Sequence, residues 1–298
     1  PQWEEALKVE RGDGREAYGI ETRRGRVLIL GATEVGLDRG ITRFLEALGC
    51  RWFFPHEAWH VVPRLSEVTV ELNLTDRPAM LGEFAILTLP GGFSYGDDIS
   101  AGKILASQLT SHLADAVRSF VATGRLVLGI CNGFQVLVKA GLLPGPAAQA
   151  GGDPLADQSV TLTHNDSARF EARWVHLRSS RESAFLPADT VLAMPIAHGE
   201  GKLVCRDDTV RRRLADDGHI ALTYCNADGR PGPYPINPNG SEADIAGLTD
   251  ATGRILGLMP HPERHVQPTQ HPAWTGSPPA CSDGRVLFEC AVRTARTL

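Results

Sequence analysis

The chain has 298 residues, 42% of them hydrophobic and 22% charged, with a net charge of −5 and a pI near 6.1. That is the composition of a globular domain with no sustained basic stripe, so nucleic acid is not an expected partner, and the charge points to neither acidic substrates nor an anionic membrane surface. Six scattered cysteines (Cys50, Cys131, Cys205, Cys225, Cys281 and Cys290) form no CxxC pair, which argues against a disulfide framework and for the reduced thiols of a cytoplasmic protein.

Residues 1–10 carry no apolar signal core, no apolar run approaches the length of a membrane span, and Pro1 in place of Met reads as a trimmed or partial chain start. A hairpin is expected from Tyr18 to Thr22 and Arg26 to Leu30 around an Arg24-Gly25 turn. A helix from about Leu37 to Leu48 carries Ile41, Phe44, Leu45 and Leu48 at helical spacing and stops at Gly49. Arg51 to Phe54 reads as a short strand, and Val68, Val70, Leu72 and Leu74 alternate like another. Asp76, Arg77 and Pro78 form a connector. These observations divide the chain into an N-terminal α+β segment, 1–79, and a larger α/β domain, 80–298.

In the larger part, Phe84 to Leu89 is an apolar run expected of a strand covered on both faces, ending in Pro90, Gly91 and Gly92. A helix is predicted from about Ala101 to Ala122, with Leu105, Leu109, Leu113, Val117 and Phe120 on one face. Leu126 to Ile130 is the next buried strand. It runs directly into Cys131 and a short helix that ends near Gly141, with Pro144 beyond.

The strand, Gly129-Ile130-Cys131-Asn132-Gly133 and the helix together make the cysteine form of a nucleophile elbow. A tight turn exposes the nucleophile and leaves no room for flanking side chains. The helix start directs N–H groups and a positive dipole end at the sulfur, which favours thiolate. The plain alternative is a buried structural cysteine between packing glycines.

A base is offered by Leu256 to His265: a short apolar strand delivers His261 at its end, and Glu263 is placed to hold its imidazole in one tautomer. A metal site from His261, Glu263 and His265 is disfavoured, because Pro262 argues against a helix presenting them on one face. Gly91, Gly92 and the N–H of Asn132 are candidate oxyanion donors. Gly96 to Lys103 has the outline of a P-loop, but its spacing is wrong and Ile104 stands where Ser or Thr would bind magnesium. It reads as an active-site loop entering a helix, with Asp97 and Asp98 as favourable charges at the helix start.

With these residues placed, the segment from about Phe84 onward resembles the class I (triad) glutamine amidotransferases, and more narrowly the glutaminase subunits of phosphoribosylformylglycinamidine synthase. The resembling segments are LPGGFSYGDDISAGKILA (89–106), GICNGFQVLVKAGLLPG (129–145), THND (163–166), ARFEARWV (168–175), PIAHGEGK (195–202), YPINPNGSEADIAGLTDATGRILGLMPHPERH (234–265) and QPTQHPAW (267–274). The resemblance implies a flavodoxin-like sheet flanked by helices and hydrolysis of glutamine through a thioester on Cys131. His261 would move protons and Glu263 would orient it. Gln135 and the Gly91-Gly92 loop would border the glutamine, with His198 and Glu200 near the site or at a partner interface. The implied partners are a large ATP-dependent synthetase subunit, which uses ATP and magnesium, and a small bridging subunit. No cofactor is implied for this chain itself.

Family members reach the PGG strand much sooner than this chain does. Residues 18–63 resemble instead the N-terminal accessory domain of alpha-glucuronidase-like glycoside hydrolases. Two arrangements follow: a foreign segment, or a β-α-β unit (27–32, 37–48 and 51–54) that completes the sheet and covers its edge. Three rival functions stand beside the glutaminase: a catalytically impaired amidotransferase-like module, another cysteine hydrolase of the same fold, and a sugar-stacking role for Trp52, Phe53, Phe54 and Trp59, aromatics that more plainly serve packing.

Overall fold

The computed structural model describes residues 78–97, 99–145, 155, 158–276 and 282–298, together with the backbone of four short strands nearer the N-terminus. The chain divides into two compact units, residues 1–73 and 74–298. In the first, β1 (Tyr18–Arg23) and β2 (Arg26–Gly31) form an antiparallel hairpin with Arg23 opposite Arg26, where the turn was expected. β3 (Arg51–Trp52) pairs antiparallel with β4 (His60–Val61). The expected helix at 37–48, the strand at 68–74 and the side chains of Trp52, Phe53, Phe54 and Trp59 lie outside the described residues.

The second unit is built on a seven-stranded mixed sheet. Its strands are β5 (Ile86–Leu89), β6 (Leu126–Ile130), β8 (Glu171–Ser179), β9 (Val191–His198), β11 (Ile220–Cys225), β12 (Ile245–Thr249) and β13 (Ile255–Leu258), in the spatial order β5-β6-β13-β12-β11-β8-β9. β5, β6 and β13 are parallel, and every pairing from β13 to β9 is antiparallel. The class is α/β, as expected. Among the described residues the sheet contains no strand earlier than β5, and β6 is flanked by β5 and β13. β7 (Val160–Thr163) and β10 (Lys202–Cys205) form a separate antiparallel ribbon.

Two expectations need correction. The run from Phe84 is not covered on both faces. Its strand starts at Ile86, sits at the sheet edge among the described residues and is half-buried, and Phe84 is 41% exposed. An apolar run marks a strand but does not say how many neighbours the strand has. The helix predicted over 101–122 is two helices, α1 (Lys103–His112) and α2 (Ala114–Ala122). Leu113 leaves helical geometry at φ −118° and ψ 6°, and its N–H closes α1 on the Leu109 carbonyl. Leu109, Val117 and Phe120 are still buried on both sides of that break, so the apolar spacing survives the interruption.

The core lies between β6 and α3 (Asn132–Lys139). All five residues of β6 and the first seven of α3 are buried. Cutting Phe134 back to alanine here costs about 3–5 kcal/mol on general grounds. The remaining helices are α4 (Asp208–Asp216), capped by the Asp207 carboxylate on the N–H groups of Thr209 and Val210, and α5 (Asp283–Ala295). The strand directions carry the functional consequence. β5, β6, β13 and the antiparallel edge strand β9 all end on the same side of the sheet, and in open α/β sheets that is where ligands bind.

Candidate active site

Four of the five strands that end on that side deliver a candidate residue: β5 leads to Gly91 and Gly92, β6 to Cys131, β13 to His261, and β9 ends on His198, while β11 delivers none. Cys131 is held at φ 51° and ψ −106°, a strained backbone for a non-glycine residue, with its N–H donating to the Leu258 carbonyl at 2.8 Å. The flanking glycines are steric necessities. A Cβ on Gly133 would lie 1.9 Å from the Leu89 carbonyl oxygen, and one on Gly129 would lie 2.7 Å from the Gly133 carbonyl oxygen. The elbow is thereby clamped between β5 and its own helix.

His261 is 2% exposed, and its N–H is anchored on the Pro195 carbonyl at 2.8 Å. Its Nδ1 donates to Glu263 Oε1 at 2.6 Å, and Nε2 has no partner among the described residues. Gly91 brings these two candidate residues together: a Cβ there would lie 2.9 Å from His261 Cε1 and 3.4 Å from Cys131 Cβ.

The Cys131 thiol does not follow the sequence expectation of a thiolate. Burial pushes it up to about 11, against a smaller lowering by the Asn132 N–H. In the resting site the desolvation cost of the anion exceeds the pull of the helix end, so the sulfur is protonated and needs a base. Its Sγ lies 3.7 Å from the Ala197 carbonyl oxygen, the acceptor for that proton's weak hydrogen bond.

A pocket of about 190 Å³ opens at the sulfur, lined among others by Gly92, Asp97, Cys131, Gln135, His198 and Glu200. It is below the size range of sites for drug-sized ligands and suits a single small metabolite. Gln135 Nε2 donates to the Glu200 carbonyl at 2.6 Å, and its Oε1 accepts from Asn132 Nδ2 at 3.0 Å. Asn132 Nδ2 also reaches Asp97 Oδ1 at 3.2 Å. The loop with P-loop outline therefore forms a wall of the pocket before entering α1 at Lys103. Asp97 does more than complement a helix end, since it holds the side chain beside the nucleophile, and burial raises its carboxyl above the usual range. Lys139 closes this wall through Ser100 Oγ at 2.6 Å and the Ala101 carbonyl at 2.5 Å. Asp98 lies outside the described residues.

The structure thus brings Cys131, His261, Glu263, Gly91, Gly92, Asn132, Gln135 and His198 to one end of the sheet. His265 goes elsewhere: it is fully buried, donates from Nδ1 to the Ala193 carbonyl at 2.7 Å and meets the Trp174 ring edge-on. Sequence reasoning gave no role to Phe93, His164, Phe170, Asn165 or Lys139. The first three line the pocket, and Asn165 and Lys139 brace its walls. The THND segment held the signal for His164 and Asn165, but nothing in their spacing says that a separate ribbon carries them to the sulfur.

The fold and site define a glutamine amidotransferase, and the comparisons agree. Residues 63–293 match the CobB/CobQ-like glutamine amidotransferase domain, and the chain belongs to that family. Among its relatives, phosphoribosylformylglycinamidine synthase subunit PurQ of Dehalococcoides mccartyi is 43% identical over 232 residues, covering 76% of this chain and 86% of that protein. The subunit PurQ of Treponema denticola is 38% identical, covering 81% of this chain and 88% of its own. The solved PurLQS structure from Thermotoga maritima superposes with a TM-score of 0.52 at 29% identity, over 71% of this chain and 80% of that one.

Proposed function

We propose that the chain is the glutaminase subunit of phosphoribosylformylglycinamidine synthase, supplying ammonia for amidation of formylglycinamide ribonucleotide in purine biosynthesis. The observation that carries the chemistry is the tautomer of His261. With Nδ1–H committed to Glu263, Nε2 is unpaired among the described residues, on a ring that meets the same face of Gly91 as the buried Cys131 thiol.

From this arrangement the steps follow. His261 takes the Cys131 proton as the sulfur attacks the side-chain amide carbon of glutamine. The N–H groups of Gly92 and Asn132 stabilise the tetrahedral oxyanion. Collapse breaks the C–N bond, His261 returns the proton to the leaving nitrogen, and ammonia departs from a thioester. Water, deprotonated by His261, then attacks the thioester. Glutamate is released and the thiol is restored. Glu263 holds the imidazole in the required tautomer and stabilises its charged form. The small pocket favours an amino acid side chain over a peptide.

Under this reading the partners are a large synthetase subunit, which binds ATP and magnesium, and a small bridging subunit, while this chain needs no cofactor. The cytoplasm is the expected location, in keeping with the free thiols of Cys131, Cys205, Cys225 and Cys290. Among the described residues no helix is long and apolar enough to cross a membrane. Residues 1–79 are read as an accessory segment, since every residue assigned a catalytic or binding role lies after residue 89.

The test is glutamate release by the complex of all three subunits. Cys131→Ala is expected to abolish glutamine-dependent amidation while amidation from added ammonium continues on the synthetase. Glutamate production by Cys131→Ala at the unmodified rate would refute the assignment.

A further inference from the structure

A second histidine at the sulfur has a fixed tautomer and no assigned partner. His198 lies on the pocket wall, 3% exposed, one residue after the Ala197 carbonyl that faces Cys131 Sγ. The identity of its ring nitrogens follows from Asn165. The Asn165 amide nitrogen donates to the Arg169 carbonyl at 2.8 Å and to the His198 carbonyl at 2.9 Å. Its Oδ1 is therefore the acceptor end, and the Gly201 N–H donates to it at 3.1 Å. His198 Nδ1, 3.1 Å from the same Oδ1, must carry the proton, and so Nε2 is a lone-pair acceptor. That Nε2 is buried and has no partner among the described residues.

The arrangement is held sterically as well. A Cβ at Gly201 would fall 2.2 Å from His198 Cε1, so only glycine lets the ring occupy this position. Burial, reinforced by nearby His261, lowers His198 to about 4, and the ring is neutral at working pH. A buried, unpaired acceptor costs about 1–3 kcal/mol unless a ligand satisfies it.

We propose that His198 is a specificity-determining residue whose Nε2 accepts a hydrogen bond from the side-chain amide N–H of glutamine. The inference rests on the glutaminase reading and deepens it. It distinguishes substrate from product by one hydrogen: the carboxamide offers an N–H to the lone pair, whereas the side-chain carboxylate of glutamate has none and sets oxygen lone pairs against it. His198 thus favours entry of the amide and exit of the acid.

The experiment compares glutamine with the γ-methyl ester of glutamate, which forms the same thioester at Cys131 but releases methanol and has no N–H at the leaving group. Both are assayed with the three-subunit complex carrying wild-type chain or His198→Ala. The ratio of kcat/KM for glutamine to that for the ester is expected to fall about tenfold or more in the variant. Inhibition by glutamate, relative to the KM for glutamine, is expected to strengthen. Equal losses on both substrates would mark His198 as structural and overturn the assignment while leaving the glutaminase reading intact. A wild-type complex that turns over neither substrate would overturn both.

The ¹⁵N shifts of the His198 imidazole in the wild-type complex give a reading that needs no variant. An unprotonated Nε2 is expected, which changes its shift when a non-hydrolysed glutamine analogue binds. A protonated Nε2 would overturn the proposal.

Discussion

The protonation state of Cys131 gives the sharpest test of the site, because sequence and structure disagree about it. An ordinary cysteine thiol near 9 would be about one part in thirty thiolate at pH 7.5. With burial raising Cys131 to about 11, the fraction falls to about one in three thousand, a hundredfold less. Only the thiolate reacts with iodoacetamide, so the alkylation rate of Cys131 should scale with that fraction. The perturbation is pH alone. The ligand-free chain is alkylated between pH 6 and 10, and modification is followed by the mass of the peptide containing Cys131. The logarithm of the rate is expected to rise with a slope near one across the whole range, without levelling by pH 10. At pH 7.5 the rate should be about a hundredfold below that of a small-molecule thiol near 9. A rate that is already high and flat between pH 6 and 9 would mean a standing thiolate–imidazolium pair. That result would refute the argument that desolvation outweighs the helix end.

Four further outcomes are expected. Glu263→Gln should lower kcat for glutamine about a hundredfold in the three-subunit assay, because an amide can present its NH₂ to His261 and favour the wrong tautomer. The loss should be smaller than for a fully buried orienter, since Glu263 is 43% exposed and water can replace it in part. Gly133→Ala should prevent folding or lower the thermal midpoint sharply, because its Cβ meets the Leu89 carbonyl. Gly92→Ala meets no neighbour and should cost only about 1–3 kcal/mol, from its φ of 138°. Finally, His198 is lowered from 6.5 to about 4 in the folded chain, so on acidification the unfolded chain takes up a proton that the folded chain refuses. Stability should therefore fall as pH drops from 6.5 toward 4, by about 3 kcal/mol in all from this group. The unfolding midpoint, measured by circular dichroism, should lose that part of its pH dependence in His198→Leu.

The candidate nucleophile, base and orienter could be singled out in the sequence because each depends on local chain geometry. A buried strand, two glycines and a helix define the elbow around Cys131, and the clashes a Cβ would make on Gly133 with Leu89 and on Gly129 with the Gly133 carbonyl show why neither glycine can change. His261 and Glu263 are two residues apart, so one turn suffices to join them. The order of strands was not legible, because apolar runs mark strands without naming their neighbours. The half-exposed edge position of β5 and the antiparallel half of the sheet are products of that order.

The remaining differences have one physical origin. Whether a sulfur ionises depends on how much water surrounds it, and whether a histidine donates or accepts depends on which atoms face its two nitrogens. Both are set by segments far apart in the chain. Asn165 and His198 are 33 residues apart, and Cys131 and Ala197 are 66. The sequence by itself marked the candidate residues Cys131, His261 and Glu263. Only the tertiary structure decided that burial raises the Cys131 thiol and that Nδ1 of a buried His198 faces the Asn165 side-chain oxygen, because burial and hydrogen-bond partners exist only once distant strands have met.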